Sequence, residues 1–160
     1  MGEPIVSHQD SIDIAAPPAS VYELVTSMER YGEWSSENAG GYWRKDQDGN
    51  PGTGQIGEMF VGINRLGERE WKAPVEIVER EAERCFAFVT GGRDMDIALW
   101  KYTVEPNGAG TRLTESYELR NLPPLLMEGG QPAIDDRMHA MRTSIRATLL
   151  GMKAAAEATA

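Results

Sequence analysis

The spacing of apolar residues changes once along this chain, late, and that change organises the rest. Between 132 and 157, Ile134, Met138, Met141, Ile145, Leu149, Met152 and Ala156 recur every three or four positions. That period marks one face of a helix. Ahead of it the rhythm is mostly that of strands, where side chains alternate between two faces. Strands are predicted over 5–14, 35–46, 57–66, 69–80, 84–90, 95–105 and 111–119, and short helices over 19–25 and 28–34. Pro17 and Pro18 end the first strand and preset the turn into the first helix. Asp48-Gly49-Asn50-Pro51-Gly52 is turn chemistry, and 122–131, with two prolines and two glycines, is predicted as a loop.

The later strands are joined by turns too short for a parallel crossover, so they pair antiparallel. A long amphipathic helix that follows them can bury its stripe only against the sheet they form. If the sheet curves around it, the space between becomes a pocket.

Composition narrows the possible partners. With 160 residues and a formal net charge of −9, the chain fits one domain and does not suit a polyanionic partner. Nucleic acid is therefore not expected. Arg137, Arg142, Arg146 and Lys153 run along one side of the last helix and are read as a solvated flank. Cys85 is the single cysteine, so no internal disulfide can form. Met1-Gly2-Glu3-Pro4 lacks a basic region followed by an apolar run, and no stretch is apolar enough to span a bilayer. No signal peptide, no integral membrane association and a cytoplasmic location are the expectations; the oligomeric state is left open.

The segment Ser11–Val25, Trp34 at the end of the second helix, and the hairpin from Trp100 to Glu115 through Pro106-Asn107-Gly108 resemble the START-related, Bet v 1-like (SRPBCC) superfamily, which includes polyketide cyclases and dehydrases. The resemblance covers nearly the whole chain. It implies a single α+β domain over 1–160 with a helix-grip fold: a bent, seven-stranded antiparallel sheet wrapped around the C-terminal helix, with two short helices after the first strand. It also implies an internal cavity for lipids, polyketides or other apolar molecules. One fold hosts many chemistries, so function rests on the site.

Alternation sorts the candidate wall. Trp71, Ala73, Val75 and Ile77 share a face opposite Lys72, Glu76 and Arg80; Trp100, Tyr102 and Val104 share another; Phe86 and Phe88 form a third set. With Trp34 from the end of the second short helix, Trp43, Phe60 and Tyr117 from the sheet, and Met138, Met141 and Ile145 from the long helix, these are the expected ligand-binding residues. Glu115 breaks its row. It lies among Leu113, Tyr117 and Leu119, where a carboxylate must be paired, protonated or solvated, so it is the candidate catalytic acid or base or a polar anchor. A bulge turning it outward, or an ion pair with an arginine, would make it structural. Arg44 is a further polar candidate for the wall.

His8 could pair with Asp10 at a strand end or be purely structural, and His139 falls on the polar side of the helix. No spacing of metal ligands and no motif for a cofactor is present. Three functions follow as expectations. The first is binding of a hydrophobic or polycyclic small molecule by a carrier or sequestering protein. The second is a polyketide cyclase, aromatase or dehydrase. The third is an interaction module of the chaperone-cofactor type.

Overall fold

The computed structural model describes residues 3–159. Met1 and Gly2, on which part of the signal-peptide expectation rests, lie outside them. The elements are β1 (Val6–Ile14), α1 (Pro18–Thr26), a 3-10 helix (Met28–Glu33), β2 (Asn38–Trp43), β3 (Met59–Leu66), β4 (Arg69–Glu81), β5 (Cys85–Thr90), a single helical turn α2 (Gly92–Met95), β6 (Ala98–Asn107), β7 (Gly110–Leu119) and α3 (Pro124–Ala158). All strand pairs are antiparallel, in the order β1-β7-β6-β5-β4-β3-β2. The fold is the expected helix grip.

The stripe on α3 is the reason the helix lies where it does. Met141, Ile145, Leu149 and Met152 are almost completely withdrawn from solvent, packed with α1 and the inner face of the sheet. Burying each such side chain stabilises by about 1.5–3 kcal/mol. The helix also runs along the edge strand β1. Arg146 Nη1 donates to Ser11 O at 3.4 Å and to Asp10 Oδ2, Lys153 Nζ donates to Asp13 O at 2.8 Å, and Glu157 Oε2 accepts from Ala15 N at 2.8 Å. These bonds occupy backbone groups that would otherwise form an open sheet edge.

Thus three of the four basic residues expected to be a solvated flank are partnered: Arg137 with Glu37, Arg146 with Asp10, and Lys153 with Glu157. The flank anchors the helix.

Three local expectations are corrected. The 122–131 segment is helical from Pro124, and Gly130 interrupts it with φ 65° and ψ −158°; the long helix proper resumes beyond, with Pro132 in its first turn. The predicted strand over 95–105 begins only at Ala98, because 92–95 coil into one turn that leaves Met95 exposed. A bulge between Ile77 and Glu79 inserts one residue into β4 and carries Arg80 to the inner face. There it pairs across strands with Phe86, stacks over that ring at 5.9 Å, and donates to Gly54 O.

Candidate functional site

Glu115 sits in β7 between Tyr102 on β6 and Asp10 on β1, the three in one register row. Strand alternation turns Glu115 inward with Leu113 and Tyr117, and only 3 % of its surface is exposed. Its Oε1 has no hydrogen-bond partner. Burial, with no cation beside it, pushes its pKa up to about 8; the Tyr102 hydroxyl pulls the other way and the charge of Asp10 adds a smaller upward push. At neutral pH the side chain is therefore a neutral acid that can donate a hydrogen bond. Neither an outward bulge nor an arginine partner applies.

The Tyr102 hydroxyl is within hydrogen-bonding reach of both Glu115 and Tyr31, and the Tyr31 hydroxyl donates to Val25 O. Burial, with the Glu115 charge behind it, raises both phenols well above their usual range. A line of three acidic groups therefore runs from the C-terminal end of α1 to the middle of β7, inside an aromatic enclosure. Tyr31 packs edge-on against Tyr102 with ring centroids 6.1 Å apart. Phe88 lies 6.4 Å from Tyr31, 5.9 Å from Phe86 and 6.5 Å from Trp100, and Trp100 meets Tyr117 edge-on at 4.5 Å.

A second polar group stands close to Tyr117. Arg137 Nη1 donates to both oxygens of Glu37, at 2.8 and 2.9 Å, tying α3 to the segment before β2. Both charges act on the Tyr117 phenol, whose pKa burial raises while Arg137 opposes. Around this sheet end Trp100, Ile97, Leu122, Leu126 and Ile134 are only partly buried against the core.

The expected wall residues divide. Phe60, Phe86, Phe88, Tyr102, Tyr117, Met138, Met141 and Ile145 all belong to the cluster between sheet and α3, and Trp100 packs against it, partly buried. Trp34 belongs to it as well, wedged against Gly151 of α3. Trp43 packs edge-on against Phe60 at 5.0 Å but reaches outward, its Nε1 donating to Glu29 at 2.6 Å. Trp71 stands apart. It lies where β4 overhangs β5, which pairs with β4 only from Val75, and the Arg69 guanidinium covers its ring at 5.0 Å. Arg44 is exposed and lines a concavity on the opposite face of the sheet, so it is no part of the inner wall. His8 is paired in register with Tyr117, and His139 is exposed.

Glu115, Tyr102 and Met141 are no more than 3 % exposed, so the space between the sheet and α3 around them is closed to solvent. Two concavities, of about 530 and 670 Å³, lie on the outer face. Among the described residues no cluster of His, Cys, Asp and Glu is arranged to hold a metal ion, and no helix is long and apolar enough to cross a membrane. Sequence reasoning missed Tyr31, Glu37 and the role of Arg137. Tyr31 carried one available signal, an aromatic in the second short helix.

Residues 6–157 match the family described as polyketide cyclase / dehydrase and lipid transport. The chain belongs to that family. A polyketide-cyclase-like protein of Corynebacterium glutamicum is 32 % identical over 96 % of this chain and 91 % of its own, with a TM-score of 0.63. A protein of Thermus thermophilus is 17 % identical over 97 % and 99 %, with a TM-score of 0.74. The di-domain aromatase/cyclase StfQ of the steffimycin biosynthetic pathway is 13 % identical, covering 98 % of this chain and 52 % of its own, with a TM-score of 0.73. The last two likenesses are of fold. No curated protein is significantly similar to the chain.

Proposed function

We propose that this family member binds a hydrophobic or polycyclic small molecule, a lipid or a polyketide-like product, between the sheet and α3, as a carrier or sequestering protein. The observation that carries this reading is the buried carboxyl of Glu115, its Oε1 unpartnered inside an aromatic and methionine enclosure. An unsatisfied buried acceptor or donor is costly by about 1–3 kcal/mol, and a ligand oxygen would relieve it. Entry is from the end where Trp100, Leu122, Leu126 and Ile134 are partly exposed, and the flexible side chains of Met138 and Met141 give way to admit the ligand.

A second reading, a cyclase, aromatase or dehydrase, draws support from the same residue. A carboxyl with a pKa of about 8, paired in register with a tyrosine, is tuned for proton transfer near neutral pH. Folding a reactive chain against aromatic walls would supply the orientation. The aromatic interior weighs against the chaperone-cofactor reading, although a dimeric Aha1 protein of Colwellia psychrerythraea shares the fold at 15 % identity.

Calorimetric titration with anthraquinone and with anthracene tests both. The binding reading expects the quinone, whose carbonyl accepts from Glu115, to bind several-fold more tightly, with the preference lost in the wild type above pH 9, where Glu115 has ionised, and kept there in Glu115→Gln, whose amide donates at every pH. An enzyme would show turnover of a poly-β-keto substrate falling about 10²–10⁴-fold in that variant with affinity retained. Saturable binding of neither compound would sink the reading.

A further inference from the structure

On the face of the sheet turned away from α3, Tyr42 of β2, Val61 of β3 and Pro74 of β4 form one register row. They floor the concavity of about 530 Å³, a volume within the range of small-molecule sites. Arg44, Lys45 and Lys72 stand around it, and no acidic residue lines it. None of the three forms an ion pair among the described residues. Lys72 Nζ sits 5.5 Å from the centre of the Tyr42 ring, whose side chain is 46 % exposed.

The charge here runs against the rest of the molecule. A chain of net charge −9 repels anions at long range, and the larger outer concavity is lined by Glu79, Glu81, Glu83 and Glu105, with its two cations, Arg84 and Lys101, paired to Glu81 and Glu79. Three cations gathered without carboxylate partners repel one another, and an arriving anion relieves that repulsion. The floor adds an apolar aromatic surface on which a flat body can lie, while Lys72 already shows that the Tyr42 ring accepts a cation on its face.

We infer that this concavity is a second binding site, for a small organic anion that joins a carboxylate or phosphate to an aromatic body. It is separated by the sheet from the Glu115 enclosure, and its failure would leave the proposed function untouched.

The test is a titration of the ¹⁵N,¹³C-labelled full-length protein with 1-naphthoate and, separately, its neutral analogue 1-naphthamide. Naphthoate should shift the resonances of Tyr42, Val61 and Lys72 saturably, and naphthamide should bind about tenfold more weakly. Lys72→Glu, an exposed substitution, should weaken naphthoate about tenfold while leaving Tm unchanged, and raising salt should weaken it further. The inference is overturned if naphthoate fails to saturate by 10 mM. It is overturned equally if the shifts map to Trp100 and Met138, if the two ligands bind alike, or if Lys72→Glu has no effect. Preferential binding of a polyglutamate peptide at these residues, with naphthoate inert, would replace the small molecule by an acidic partner and also overturn it.

Discussion

Replacing Glu115 by glutamine should change how stability depends on pH. The group's pKa is about 8 in the folded protein and 4.5 in the ordinary reference state. Between those values the folded protein holds a proton that the unfolded chain has released, so the wild type loses stability as pH rises. The contribution is fully present below 4.5 and falls at about 1.4 kcal/mol per pH unit up to the folded value, about 5 kcal/mol in all. Glutamine has the same shape and does not titrate. Its amide N–H groups lack an acceptor at the unpartnered Oε1 position, which adds a penalty of about 1–3 kcal/mol that does not vary with pH. The absolute stability of the variant therefore decides little, and the slope of the difference decides everything. Urea denaturation of both proteins at intervals from pH 5 to pH 9 supplies it, since all other groups titrate alike in the two. The variant should gain on the wild type by about 1.4 kcal/mol per pH unit until near pH 8 and then level off. Parallel curves would refute the claim that Glu115 is held neutral by burial.

Met141→Trp adds bulk where no surface is exposed, so denaturation should show a loss of about 1–3 kcal/mol, together with weaker binding of apolar dyes; unchanged stability would reveal spare room. Gly151→Ala would ordinarily stabilise a helix interior by about 1 kcal/mol. Here the added Cβ would lie 2.7 Å from Trp34 Cβ and 2.9 Å from its Cα, so Tm should fall, and a rise would refute the close approach of α3 to Trp34. Arg137→Ala strands the Glu37 carboxylate, only 7 % exposed, and should destabilise by about 1–3 kcal/mol after allowance for the partly exposed arginine; adding Glu37→Gln should recover part of it in a double-mutant cycle.

Much of this architecture was legible because two periods carry it. The alternation of Leu113, Glu115, Tyr117 and Leu119 specified their common face, and the lone carboxylate in that row stood out against its neighbours. The stripe from Ile134 to Ala156 specified the buried face of α3. What alternation cannot carry is an interruption of itself: the bulge near Ile77 moved Arg80 to the other face without any glycine or proline to announce it. Pairings set by tertiary packing were equally silent, as between Arg137 and Glu37, 100 positions apart. Tyr31 joined the Glu115 line only through the orientation of a 3-10 helix. How much free volume the interior keeps depends on summed side-chain volumes, which a pattern of faces leaves undetermined.

The central claim, that a ligand lies between the sheet and α3 against Glu115, is tested most directly by intermolecular NOEs from a saturating polycyclic quinone to selectively ¹³C-methyl-labelled methionines. The account predicts contacts to the Met138 and Met141 methyls and to the rings of Phe88 and Trp100. Contacts confined to the outer face, with those two methyls unshifted at saturation, would contradict it.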